Sequence, residues 1–154
     1  MDENEYRDIY HSVNSVRCCF EKAMLTRRFG CINLVKINIA DREAAGCKDE
    51  DAQEICKTFR KLIRQNAAFA LKCSDSGSQL PHAKEIKAQC GGIIGLYHAM
   101  HDNDEIPTGV TDIFACIQDA IETYKQLELF PFPEIIKVIT HFRGRPKRTQ
   151  KNNN

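Results

Sequence analysis

Cysteine is the residue type in this sequence with the greatest capacity for chemistry. Eight of the 154 residues are cysteines: Cys18, Cys19, Cys31, Cys47, Cys56, Cys73, Cys90 and Cys116. A cysteine thiolate is a nucleophile, a redox group and a strong ligand for zinc and iron. This abundance therefore points to metal binding or thiol redox chemistry, unless most of the thiols are simply buried.

Four of the cysteines have sequence surroundings typical of metal ligands. Cys31 and Cys47 each follow a glycine directly, and glycine gives the backbone the freedom to turn a side chain toward a shared centre. Cys56 and Cys90 fall on the apolar stripes of two expected helices. Two glycines follow Cys90 and weaken its helix, which suggests that a bulky group approaches the backbone there. We predict that Cys31, Cys47, Cys56 and Cys90 bind a metal centre.

The spacing of these four residues bears on the kind of centre. Four thiolates satisfy a [4Fe-4S] or [2Fe-2S] cluster, and they also satisfy tetrahedral zinc. The chain contains no C-x-x-C pair, which is common in zinc ribbons and in ferredoxins. Ligands spread over a helical body suit a large buried cofactor better than a compact zinc knuckle. The expected cofactor is therefore an iron-sulfur cluster, with [4Fe-4S] favoured and zinc as the alternative.

Other interpretations of the cysteines stay open. Free cysteines are among the most buried residues and behave as small hydrophobic side chains, and a pair of them can act as a redox switch. Neighbouring Cys18 and Cys19 would point about 100° apart on a helix, so we do not expect them to share an ion. His98 and His101, three residues apart on a helix, form a weaker candidate metal site.

Few other residues suggest chemistry. Two carboxylates and a guanidinium, residues 41–43, precede Cys47. Arg42 could donate to cluster sulfur or to a bound anion, although a solvated helix face is the better explanation of these residues. The common nucleotide-binding, hydrolase and zinc-protease motifs do not occur. Since no catalytic grouping is recognisable, enzyme activity is uncertain, and a non-catalytic role is favoured.

Apolar residues recurring every three or four positions predict helices throughout the chain. The expected helices cover residues 6–28, 38–45, 49–72, 82–101, 110–124 and 133–142. No alternating apolar and polar run of useful length suggests a β-sheet. The predicted fold is an all-α single domain, residues 1–142, forming a bundle of five to six helices. Its expected core comprises Phe59, Leu62, Ile63, Ile86, Ile94, Ile113, Ile117 and Ile136.

The last residues of the chain, 143–154, form an expected disordered basic tail. They contain five basic side chains and no acidic one, in a chain whose formal net charge is +1. The preceding residues are therefore mildly acidic, which argues against general nucleic-acid binding by the body of the protein. Nucleic-acid contact through the tail stays possible, but a protein partner is favoured.

The acidic, polar amino terminus does not resemble a secretory signal, and no apolar run approaches the roughly 20 residues of a membrane-spanning helix. We expect a cytoplasmic protein without membrane contact. The predicted function is cytosolic iron-sulfur or other metal binding, in electron transfer, redox sensing or cofactor maturation. The alternative is a helical protein-interaction or nucleic-acid adaptor module with buried free cysteines and a basic tail.

Overall fold

The computed structural model describes residues 1–73, 79–101 and 105–144. Within these ranges the chain forms six α-helices and one two-stranded sheet. In chain order the elements are α1 Glu3–Val13, α2 Glu21–Met24, β1 Leu34–Ile39, β2 Arg42–Cys47, α3 Glu50–Leu71, α4 His82–Met100, α5 Ile113–Tyr124 and α6 Phe132–His141. The prediction of a mostly helical chain is confirmed, and the prediction of a purely helical one is wrong.

The longest helices form where the sequence predicts them. The Asp49 side chain caps α3 by accepting hydrogen bonds from the backbone N–H groups of Asp51 and Ala52, and Lys72 ends the helix in a left-handed conformation (φ 53°). Asp112 caps α5 in the same way. In α6 a proline occupies the first turn, where its missing N–H costs nothing.

The predicted helix over residues 38–45 is wrong, because this segment forms the turn and most of the second strand of an antiparallel hairpin. Leu34 pairs with Cys47 at its open end, and Ile39 pairs with Arg42 beside the turn. The side chains of Ile37 and Ile39 pack near Tyr6 and Tyr10 of α1 in a small second core. Strand pairing and this burial override the helix propensity of an alanine-rich segment.

The predicted helix over residues 6–28 is also interrupted. After α1 the chain runs extended beside β2, where the Cys18 N–H donates to the Ala45 carbonyl (3.1 Å) and the Cys47 N–H donates to the Val16 carbonyl (2.8 Å). Buried Asn14 secures the break by donating from Nδ2 to the same Ala45 carbonyl (3.0 Å). Backbone hydrogen bonds to the hairpin thus replace those of a continuous helix.

The main core surrounds α4, which is buried almost continuously along its middle. A Cβ atom added to Gly91 would lie 2.9 Å from Cα of Ile139, and one added to Gly95 would lie 2.8 Å from Cα of Ile135. Gly91 and Gly95 therefore admit the backbone of α6, and a Cβ atom added to Gly92 would lie 2.6 Å from the Ile63 side chain of α3. Close helix packing explains them without a cofactor.

The predicted core residues lie in or against this core. Five of them are at most 2% exposed: Phe59, Ile63, Ile94, Ile113 and Ile117. The other three, Leu62, Ile86 and Ile136, are partly buried and pack against the same cluster.

The predicted disordered tail lies outside the described residues, except for Arg143 and Gly144. Across the three described ranges, no helix is both long enough and apolar enough to cross a bilayer.

Candidate metal centre

Five of the eight cysteines line one small cavity at the junction of the hairpin, α3 and the extended segment after α1. They are Cys18, Cys19, Cys31, Cys47 and Cys56, and we call the space between them the cysteine cavity. Its other walls are largely apolar and include Phe20, Met24, Leu34, Ile113 and Phe114. The cavity measures about 20 Å³. The fold thus gathers thiols that are up to 38 positions apart in the sequence.

Each cysteine reaches the cavity from a backbone held by other parts of the fold. Cys47 ends β2, and Cys56 lies near the start of α3. Cys31 lies before β1, next to Gly30, whose N–H donates to the Val110 carbonyl and whose carbonyl accepts from the Ile113 N–H (2.8 Å). These bonds join the Cys31 segment to the approach to α5. The thiols are therefore presented by several separately anchored elements.

Backbone amides are directed at two of the sulfurs. The Asn33 N–H donates to Cys31 Sγ (3.5 Å), and the backbone amide of Phe114 also lowers the pKa of this thiol. The backbone amide of Phe20 acts on the pKa of Cys18 in the same direction. Amide hydrogen bonds to sulfur stabilise the thiolate, which is the form that binds metal.

Burial raises the pKa of these thiols and so opposes the effect of the amides. Desolvation is the main reason that the pKa of Cys18 is raised to about 12, and negative charge on Cys19, Cys31 and Cys47 contributes in the same direction. Desolvation is also the main reason for the raised pKa of Cys56, to which Cys18, Cys19, Cys31 and Cys47 contribute in the same way. The thiols are thus close enough for their charges to interact. A bound cation would offset both effects and displace the thiol protons.

In the arrangement observed, the sulfurs share the cavity without converging on a point. Within residues 1–73, 79–101 and 105–144, no three His, Cys, Asp or Glu side chains form a group that could hold a metal ion. Two cavity thiols instead donate to backbone carbonyls, Cys19 Sγ to Gln53 (3.5 Å) and Cys47 Sγ to Asp49 (3.2 Å). Metal binding would therefore require these side chains to turn inward.

Three of the four predicted ligands, Cys31, Cys47 and Cys56, line the cavity, and Cys90 does not. Cys90 is fully buried within α4 in the main core, and burial raises its pKa to about 11. The sequence analysis missed Cys18 and Cys19, because it assigned them to a continuous helix. Asn14 and Ser15, which favour helix ends over helix interiors, were the available signal for the break.

The weaker candidate ligands lie elsewhere. His98 and His101 do not line the cysteine cavity, and the His101 ring stacks on Tyr97 with centroids 3.8 Å apart. Of the charged residues before Cys47, Arg42 pairs with Glu3 (3.1 Å) and Glu43 pairs with Arg27 (2.9 Å) on the surface. They take part in surface ion pairs rather than in the cysteine site.

No protein-family model, curated protein or solved structure matches this chain. The arguments for function therefore rest on the geometry of the chain itself.

Proposed function

We propose that this chain is a metal-binding protein whose centre is an iron-sulfur cluster held by Cys18, Cys31, Cys47 and Cys56. The observation that carries the proposal is the meeting of these four thiols, from four segments of the chain, at one cavity with apolar walls. Four cysteines are the usual ligand set of both [2Fe-2S] and [4Fe-4S] clusters. This set retains three sequence-predicted ligands and replaces Cys90 with Cys18.

The separation of the sulfurs supports a cluster over a single ion. The described residues contain no group of three ligands that could hold an ion as they stand, although the thiols face one space. In a cluster the cysteines bind different iron atoms, so their sulfurs are farther apart than around one zinc ion. The amides directed at Cys18 and Cys31 would serve as hydrogen-bond donors to cluster-bound sulfur.

Zinc is the second candidate, and the size of the cavity favours it. About 20 Å³ is close to the room needed by one water-sized sphere, so a cluster requires the walls to move apart. One zinc ion requires mainly inward rotation of thiols. The two candidates use the same four cysteines and differ in colour, iron content and sulfide content.

Cys19 is the fifth thiol of the cavity and has a different position. Like Cys18, it borders an open groove that contains the cationic side chains of Lys57 and Arg60, but its own Sγ donates to the Gln53 carbonyl. The positive charges of these residues oppose the effect of burial on the pKa of Cys19, which is nevertheless raised. We assign Cys19 to the edge of the centre rather than to its ligand set.

A bound cluster would supply one-electron redox chemistry, which suits electron transfer, redox sensing or cofactor maturation in the cytosol. The contribution of the chain is to anchor the thiolates, direct amides at two sulfurs and restrict water with apolar walls. Among the described residues we identify no catalytic grouping beside the cavity. The proposed role is therefore carrier or sensor rather than enzyme.

The test is metal and sulfide analysis of protein purified without oxygen. We expect brown protein that contains iron and acid-labile sulfide, with absorption near ~400 nm. Serine substitution of Cys18, Cys31, Cys47 or Cys56 should remove most of the iron, whereas Cys116→Ser is the matched control and should retain it. Colourless protein with one zinc per chain would establish the second candidate. Colourless, metal-free protein from iron- and zinc-supplemented cells would overturn both.

A further inference from the structure

A cationic groove lies on the other side of the Cys18-Cys19 segment. Its volume is about 500 Å³, and five basic side chains line it: Arg17, Lys22, Lys57, Arg60 and Arg64. The groove also contains two carboxylates, from Glu21 and Glu85. Positive side chains therefore predominate in this groove, although the chain as a whole is almost neutral.

Both carboxylates are engaged by the protein. Glu21 accepts hydrogen bonds from the Tyr10 hydroxyl (3.0 Å) and the Ala45 N–H (2.8 Å). Glu85, whose side chain is 10% exposed, pairs with Arg60 at 2.7 Å. Glu85 therefore offsets the charge of Arg60, and Lys57 pairs with Glu54 of the same helix at 3.1 Å on the surface. The five basic side chains of the groove still outnumber its two carboxylates, so an excess of positive charge lines it.

The cations on α3 form a regular stripe. Lys57, Arg60, Lys61 and Arg64 are spaced at i, i+3, i+4 and i+7, so they share one face of the helix, which has the carboxylate of Glu54 at its amino-terminal end. Lys61 lines an adjoining groove that shares Lys57, Arg60 and Arg64 with the first. At 1.5 Å per residue the stripe extends about 10 Å, or about three phosphate steps along one strand of a duplex.

A second basic cleft continues this surface toward the start of the basic tail. Its basic lining residues are Arg27, which pairs with Glu43, and Arg28, His82 and Lys87. The apolar side chains of Leu25, Ile86 and Phe142 also line it, together with Gly144. Lys22 of the first groove contacts His82 of this cleft, with Nζ and Nδ1 2.8 Å apart. The α3 stripe, the groove and the cleft thus form one connected basic surface, which we call the basic belt.

The geometry points to binding of the phosphate backbone of duplex nucleic acid along the basic belt. A protein partner is less suitable, because Leu80 is the one large aliphatic side chain that lines the central groove, and protein interfaces generally have an apolar or aromatic centre. No aromatic side chain among the described residues lines that groove, so it lacks a platform for stacking unpaired bases. The basic belt therefore recognises phosphate groups and does not read the base sequence.

The test is fluorescence anisotropy of the full-length protein with a labelled mixed-sequence DNA duplex of about 20 base pairs, over a range of salt concentrations. The test variant is Lys57→Gln/Lys61→Gln, and Lys125→Gln/Lys137→Gln carries the same charge change on exposed residues elsewhere. The test variant should bind at least about tenfold more weakly at low salt, and its salt slope should fall by about two. The control should bind as the wild type does.

Three further measurements complete the experiment. The matching single strand and a poly-glutamate peptide should each bind more weakly than the duplex, and equal or tighter binding of either would overturn the proposal.

Neutralising Arg145, Lys147, Arg148 and Lys151 with glutamine should preserve the effect of the two α3 lysines. If the tail variant loses all binding and the α3 variant binds as the wild type does, the tail is the binding site and the proposal for the basic belt is wrong. Metal content should stay at the wild-type level in every variant, which keeps this test independent of the proposed metal centre.

Discussion

The cysteines of the hairpin region and those of the helical core have different environments, although neither set is fully exposed. Around the cysteine cavity, thiols from separate segments line one space, and backbone amides lower the pKa of Cys18 and Cys31. In the helical core, Cys90 and Cys116 lie within the main apolar cluster, and neither lines the cavity. Burial alone therefore does not distinguish a ligand from a small hydrophobic residue. The distinction comes from the presence of other thiols and amide donors around the sulfur.

The two regions meet at Phe59, whose truncation should have the largest effect. Its ring lies 6.0 Å from the ring of Phe20 on the hairpin side and 5.4 Å from the ring of Phe130 on the helical side. Phe59→Ala should lower the free energy of unfolding by about 3 to 5 kcal/mol, because a fully buried aromatic side chain leaves a cavity between both regions. Chemical denaturation of the metal-free protein measures this. A loss below about 1 kcal/mol would show that the regions do not depend on this contact.

A smaller change tests how closely the helical region is packed. Gly95→Ala should lower the free energy of unfolding by about 1 to 3 kcal/mol, because the added Cβ would lie 2.8 Å from the backbone of α6. The better helix propensity of alanine, about 1 kcal/mol, offsets only part of this cost. Gly144→Ala is the matched control, since nothing lies within 4 Å of its added Cβ. Equal denaturation midpoints for the two variants would contradict the close packing of α4 and α6.

Cys90 provides the sharpest contrast between the two cysteine environments. Cys90→Ser should cost about 1 to 3 kcal/mol of stability, because a hydroxyl in an apolar core lacks partners, yet it should leave the metal content unchanged. Cys56→Ser should abolish metal binding and with it the stability that the metal supplies. Elemental analysis and thermal unfolding of both variants measure these effects. Loss of metal from Cys90→Ser would restore the ligand set predicted from the sequence.

Neighbouring residues of α3 test which face of the helix points inward. Ile63 is 2% exposed, whereas Leu62 is only partly buried against the core. Ile63→Ala should cost about 2 to 5 kcal/mol, and Leu62→Ala should cost less, about 1 to 2 kcal/mol, because part of its surface stays in water. Urea unfolding of the two variants gives the comparison directly. The reverse order would mean that the inward face of α3 has been misassigned.

The local sequence signals identify much of the helical region correctly. Asp49 and Asp112 predict helix starts through their capping side chains, and the apolar stripe of α3 identifies Phe59 and Ile63 as core. These features depend on residues close in the chain, so helical periodicity and capping chemistry are sufficient to find them. Helical periodicity also makes Cys56 a candidate ligand, whereas Cys31 and Cys47 are candidates because each follows a glycine.

The arrangement of the cysteine cavity depends on contacts between distant residues. Cys18 reaches it because hydrogen bonds to β2 replace helix after Val13, and the hairpin forms because residues 34–39 and 42–47 pair along their length. Local propensity favours helix in both places, but strand pairing and burial against α1 outweigh it. Cys90 is buried, as its periodicity predicts, yet it lies in the main apolar core rather than beside the cavity thiols. Periodicity reveals that a side chain is buried, whereas only the packing of distant segments establishes what it is buried against.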